Sequence, residues 1–279
     1  MVAFSLHEVE TVDAHAFAVF DCAEDDTDVL AAEIAERVRA LYVDTDLVAE
    51  FEAASAGLED LVDPASLIAT ARRVVEAVVP QPGANPNQPA HLDLPRNELA
   101  EVLASELLEH SHGALVPASR VRQKEVPGLP TRGIDVVGLL LEPELKLVVA
   151  EVKASSSASS PPAVVGDGND CMHAQVLKLV ADEKKQFREL NWMKKHATSE
   201  TAKQHVTRAM LLLGVQNLPV VAAPVLVRPR DRYTPADFGC FKDTPDNYSP
   251  ATVHFSVVRV PGTLEELAGA AYTKARELP

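Results

Sequence analysis

The sequence predicts an α/β fold: an α/β sandwich around a mixed sheet, preceded by a small acidic α/β unit. Three observations carry this expectation. Short runs rich in Val, Ile and Leu alternate with longer segments whose apolar residues recur every three or four positions. Apolar residues make up 47% of the 279-residue chain, enough for one large core or two small ones. The formal charge of −15 is unevenly spread: residues 1–95 hold four Lys or Arg against nineteen Asp or Glu, and residues 96–279 hold twenty-two of each. That asymmetry predicts separate roles for two parts of the chain.

The first unit spans residues 1–88. His15–Phe20 reads as a short apolar strand, and Asp21–Asp28 as an acidic turn that caps a helix at Thr27 or Asp28. Leu30, Ile34, Val38 and Leu41 then recur at helical spacing, and another helix starts near Asp63-Pro64, where proline suits the first turn. Pro80 to Pro89 is a linker by composition, which puts the domain boundary at residue 88.

The second unit, residues 89–279, opens with a helix from Arg96 through Leu108, followed by a β-hairpin. The Ser-, Pro- and Gly-rich stretch 154–170 is too long for a simple connector. It leaves directly from the second hairpin strand, so it either lies over what that strand carries or moves freely. Met172–His196 reads as one long helix and Ser199–Leu213 as another. Leu218–Val227 and Thr252–Val260 read as buried strands, with a polar excursion at 228–250 between them. Thr263–Glu277 is a terminal helix capped by Thr263, with Glu266 completing a capping box.

No run approaches the ~20 apolar residues that cross a bilayer, and Met1–Ser5 lacks the basic and apolar parts of a secretory signal. Cys22, Cys171 and Cys240 are odd in number and far apart, so no disulfide framework is implied. Cys171-Met172-His173 has no second pair at zinc spacing, and His91, His110, His112, His173 and His196 are scattered. These features predict a reduced, cytoplasmic protein.

The hairpin is the informative element. Gly133-Ile134-Asp135-Val136-Val137-Gly138 and Leu147-Val148-Val149-Ala150-Glu151-Val152-Lys153 flank a turn at Glu142-Pro143-Glu144. Charged groups are costly to bury unless paired or bound to metal, so three of them in apolar strands need a reason. Side chains alternate faces, which puts Glu151 and Lys153 on one face about 7 Å apart. If residues 142–144 form the loop, Leu141 pairs with Leu145, and counting outward sets Asp135 opposite Glu151. Opposed residues have Cβ atoms roughly 5 Å apart, close enough for two carboxylates to share a divalent cation. Gly133 and Gly138 bracket the Asp strand, marking a bulge or a close backbone approach.

This arrangement resembles the PD-(D/E)XK nuclease superfamily, built from a helix carrying a glutamate, a hairpin carrying Asp and Glu-x-Lys, and a second helix. The match is Asp135, then fifteen intervening residues, then Glu151-Val152-Lys153, with Glu98 on the upstream helix and Gln175 on the second. Within the superfamily the chain is most similar to bacterial anti-phage defence nucleases of the Hachiman type, which work beside a helicase. The resemblance implies a restriction-endonuclease-like sandwich and a metal-dependent phosphodiesterase acting on DNA. Asp135, Glu151 and the Val152 carbonyl would hold Mg²⁺, with Mn²⁺ as a substitute. Lys153 would orient the attacking water or stabilise charge growing on the phosphate. Glu98 would reach a metal through water or hold a second one; Glu101, one turn along, is the other candidate. DNA and a helicase or ATPase are the implied partners, and an oligomer is compatible with the sequence.

Other readings stay open at this level. The hairpin charges can be a solvated, alternating pattern whose cross-strand pairing contributes under ~1 kcal/mol. Lys184, Lys185, Arg188, Lys194 and Lys195 make the second helix strongly basic, which fits a solvated face or a phosphate contact. A nuclease-like fold can serve as a silent binding or assembly module, and an acidic N-terminal unit can bind a basic partner without metal.

Overall fold

The same alternation and periodicity appear as packed elements in the computed structural model, which describes residues 2–43, 47–82, 94–122 and 133–277. In chain order its strands are β1 (Phe4–Val12), β2 (His15–Cys22), β3 (Val136–Leu140), β4 (Lys146–Ala150), β5 (Val152–Ala154), β6 (Val220–Ala222), β7 (Val225–Pro229) and β8 (Thr252–Val260). Its helices are α1 (Thr27–Tyr42), α2 (Leu47–Ala54), α3 (Pro64–Val78), α4 (Leu94–His110), α5 (Ala163–Gly166), α6 (Met172–Val180), α7 (Glu183–His196), α8 (Glu200–Gly214), α9 (Cys240–Asp243) and α10 (Leu264–Ala275).

All the strands join one mixed sheet in the order β1-β2-β8-β6-β4-β3, with β7 pairing both β8 and β5. β4 and β5 keep one register against β6 and β7, Val149 opposite Ala222 and Val152 opposite Val225. They therefore act as two long strands, interrupted at Glu151 on one side and at Ala223-Pro224 on the other. Pro224 has no amide to give its neighbour, which accounts for the second interruption. The central pairings are parallel, while β1 and β3 close the two edges antiparallel.

Helices cover both faces. On one, Val136, Val148, Ala150 and Val152 pack with Leu99 and Leu103 of α4, Ile34 of α1 and Tyr272 of α10. On the other, Val137, Leu139, Leu147 and Val149 pack with Leu179 of α6, Leu190 and Met193 of α7 and Val206 of α8. A third cluster joins Phe17 and Val257 of the sheet to Val176 of α6 and to Phe238, Phe241 and Tyr248. Residues 228–250 are thus an aromatic packing segment rather than a polar excursion: Phe238, Phe241 and Tyr248 are buried, and Phe241 and Tyr248 stack at 4.9 Å.

The structure adds to or departs from these expectations in four places. The predicted domain boundary at residue 88 lies outside the described residues, but β2 pairs in parallel with β8, Ala16 opposite His254 through Asp21 opposite Arg259. Residues before the boundary therefore complete the sheet of those after it, instead of forming a unit of their own. The α1 cap is Asp26, whose carboxylate accepts from the amides of Asp28 and Val29, instead of Thr27 or Asp28. The long second helix is two helices, because the Asp182 side chain caps α7 by accepting from the Lys185 amide at 3.2 Å. Residues 154–170 contain a short helical turn, α5.

Candidate metal and phosphate site

The hairpin has the expected register. Val136 pairs with Ala150 and Leu140 with Lys146, so one further step sets Asp135 opposite Glu151. The ladder stops at Leu140–Lys146, one pair short of Leu141 and Leu145. Strand alternation continues from Val137 and Val149, putting Asp135, Glu151 and Lys153 on the face of α6 and α7. The Lys153 ammonium lies 2.8 Å from Glu151 Oε1, and the Val152 amide donates to Asp135 Oδ2 at 2.8 Å. Glu151's own carbonyl accepts from Val225 at 3.0 Å, so the Val152 carbonyl points to the opposite strand edge, the Asp135 side.

Glu151 is only 6% exposed. Its burial, with the Asp135 charge second, pushes its carboxyl up to about 8 against the opposing pull of Lys153. Burial alone would lower the Lys153 ammonium, but neighbouring Glu151 outweighs it and holds Lys153 above its ordinary value. The cluster therefore carries more carboxylate than one lysine offsets.

Glu151 opens onto a pocket of about 260 Å³ walled by Gly133, Ile134, Gln175, Lys178, Leu179, Lys185, Arg188 and Glu189. Gln175, singled out in the sequence, lies here, as do Lys185 and Arg188 from the basic stretch. Lys178 and Glu189 were not anticipated. Lys178 is on α6, where a lone lysine in an apolar period gives no signal. Glu189 pairs with the Arg120 guanidinium; burial raises its carboxyl and Arg120 opposes that rise. Arg120 also donates to the Ile134 carbonyl at 2.5 Å and lies 4.1 Å over the Trp192 ring, which holds the start of β3 in place.

The two hairpin glycines are explained by the chain itself, not by a ligand. Gly133 has φ +111°, and a Cβ there would lie 2.6 Å from Arg120 Nη2. A Cβ on Gly138 would lie 2.9 Å from the Leu115 carbonyl, where residue 115 bridges to Leu139.

Glu98 is not brought to this site. It is fully buried on α4, across the sheet, where the Tyr272 hydroxyl donates to its Oε2 at 2.6 Å and the Tyr42 hydroxyl donates to the same oxygen. Both tyrosine hydroxyls are pushed up, first by burial and then by the Glu98 charge. Helical periodicity shows that Glu98 is one turn from Glu101, but not which sheet face α4 covers. Glu101 does no better, since it walls a separate cavity between α1 and α4. Among the described residues one tight ligand trio occurs, Glu106, Glu109 and His110, with ligand atoms within 4.8 Å of one another. It too lies on α4, and Arg37 pairs with Glu106 at 2.9 Å.

Among the described residues no helix is long and apolar enough to cross a membrane. No curated protein matches the chain. The HamA family profile matches residues 3–218, which spans the N-terminal hairpin, the Asp135 strand, Glu151-Val152-Lys153 and both pocket helices. With more than half its length matched, this chain belongs to the HamA family of the Hachiman anti-phage defence system.

Proposed function

We propose that the chain is a divalent-metal-dependent nuclease that hydrolyses phosphodiester bonds in DNA and acts beside a helicase partner in defence. The observation carrying this reading is the grouping of Asp135, Glu151 and Lys153 on one face of the hairpin, where Glu151 lines a pocket together with Lys178, Lys185 and Arg188.

The donor set fits Mg²⁺ or Mn²⁺. Two carboxylates and the Val152 carbonyl are hard oxygen ligands, and a small dication would favour the ionised form of Glu151 that burial and the Asp135 charge disfavour without it. When bound, such an ion supplies Lewis acidity at the phosphate and acidifies water. The protein's part is positioning and charge. Asp135, just before β3, and Glu151, between β4 and β5, would hold the ion. Lys153, kept protonated beside Glu151, stabilises charge growing on a phosphate oxygen. Lys178, Lys185 and Arg188 attract the polyanion to the pocket despite the chain's net charge of −15. The helicase partnership draws its support from HamA family membership.

The test is cleavage of supercoiled and linear DNA by the purified chain, with and without the helicase, in Mg²⁺ or EDTA. Wild type is expected to cut only with the ion, and Glu151→Gln and Lys153→Ala to lose cutting while remaining folded. Cutting by Glu151→Gln at the wild-type rate would refute this site. DNA binding without cutting under any divalent ion would identify a silent binding module.

A further inference from the structure

Once Glu98 is placed across the sheet, the pocket lacks the third acid that the helix was expected to bring. Two other carboxylates stand near it, Glu189 in the pocket wall and a second beside the wall residue Gln175. Glu189 is already met by Arg120. Asp170 is the other. It stands at the end of the long loop that leaves β5, and the Gln175 side-chain amide donates to its Oδ1 at 2.6 Å. Gln175 and Glu151 wall one pocket. A second pocket side chain, Lys178, donates to the carbonyl of Asn169 at 2.9 Å. Two successive turns of α6 thus clamp the loop end against the site.

The loop is also tied where it leaves the sheet. Arg228, fully buried, donates to the carbonyls of Ser155 at 3.4 Å and Ser159 at 3.3 Å. Anchored at both ends, the segment carries Asp170 to a defined position. Among the described residues Asp170 makes no ion pair; its hydrogen-bond donor is a neutral amide. Its negative charge acts on both Glu151 and Lys153.

We propose that Asp170, delivered by the 155–170 loop and oriented by Gln175, is the third acidic ligand of the divalent-metal centre, in the role expected of Glu98. The inference rests on the nuclease reading above and adds a residue to it. It also makes the loop part of the site: Asp170 stands just before α6 while Asp135 and Glu151 adjoin the sheet, so the three would hold an ion between the loop end and the sheet.

The test is Mn²⁺ binding to the full chain, read as loss of the free-ion electron paramagnetic resonance signal on titration. It compares wild type with Asp170→Asn, Asp167→Asn and Glu151→Gln, each checked for an unchanged melting transition. Asparagine at 170 still accepts from Gln175 and removes only the charge. Asp167 is an exposed acid on the same loop and controls for long-range charge. Asp170→Asn is expected to weaken Mn²⁺ binding by at least about tenfold, with Asp167→Asn unchanged. Wild-type affinity in Asp170→Asn, with Glu151→Gln weakened, overturns the inference and leaves the nuclease reading standing. Equal weakening by Asp167→Asn and Asp170→Asn overturns it as well, because the effect is then general electrostatics. Unchanged binding in Glu151→Gln, or no binding by wild type, removes the metal centre itself and the inference with it.

Discussion

The Asp135 carboxylate accepts a hydrogen bond from the Val152 amide at 2.8 Å, joining the entry to β3 to the start of β5. One acid therefore both supports the interrupted strand and places its charge beside Glu151. The two roles separate by substitution. Asp135→Asn keeps an acceptor for Val152 and removes the charge, so it is expected to abolish cleavage with little loss of stability. Asp135→Ala strands the amide and should cost a further ~1–3 kcal/mol. Urea unfolding of the two variants side by side checks this.

A dication bound only by the folded state stabilises it by mass action, by about 2.7 kcal/mol at a hundredfold excess over Kd. Mg²⁺ is therefore expected to raise the melting temperature of wild type and EDTA to reverse the rise. Glu151→Gln should melt at the same temperature with or without the ion. A Mg²⁺ response retained in that variant would place the bound ion elsewhere.

His112 gives a pH dependence unrelated to the site. It packs edge-on to Phe20 and lies 3.2 Å from Ser256 Oγ, and burial, with His254 nearby, pushes its imidazole down to about 4. The folded state thus takes up its proton later than the unfolded chain does. The contribution is unaffected above about pH 6.5, and stability is lost as pH falls from there to about 4. At pH 5 the loss from this residue is about 2 kcal/mol. The difference in stability between pH 7 and pH 5, from urea midpoints, should shrink by that amount in His112→Gln.

Arg228 and Asp237 form a pair with both side chains fully buried, 3.1 Å apart. Arg228→Leu leaves the Asp237 charge without a partner and should cost about 3–5 kcal/mol. Adding Asp237→Asn should recover part of that loss, because the orphaned charge disappears while its contacts with Ser160 and Thr234 can persist. No recovery in the double variant, measured by equilibrium unfolding, would mean that the lost anchoring of the 155–160 segment dominates.

Local pattern reached far into this molecule. β8 spans Thr252–Val260 as its apolar run indicated, and the turn centred on Pro143 set a hairpin register in which Asp135 opposes Glu151. The first follows from an apolar run and the second from counting outward from a turn, and a short stretch of chain displays both in full. β1 escaped notice because none of its residues is buried, and Leu6 and Val9 face outward. It therefore shows no apolar face to read. The β2–β8 pairing escaped because nothing near His15 encodes a partner near residue 254. The side of the sheet that α4 covers is decided by chain crossover, so Glu98 looked like a site residue and proved to be a tyrosine-bound core acid. Asp170 sits in a loop, where no periodicity marks one acid among several.

The β2–β8 contact also bears on when the fold can form. Its flanking ion pair joins Asp21 to Arg259, 238 positions apart, with Arg259 Nη2 and Asp21 Oδ2 at 2.7 Å. During synthesis, the hairpin of β1 and β2 must wait for β8 before its inner edge is covered, so folding is dominated by a late, long-range closure. A ribosome that stalls before residue 252 releases a chain with an open sheet edge, prone to association and proteolysis. Trimming the acidic first third has the same consequence from the other end, since it uncovers β8 and removes Tyr42 from Glu98. Charge and scaffold are covalently the same segment here. The contribution of that acidity to DNA binding has to be dissected by exchanging surface carboxylates for amides, with β1, β2 and α1 left in place.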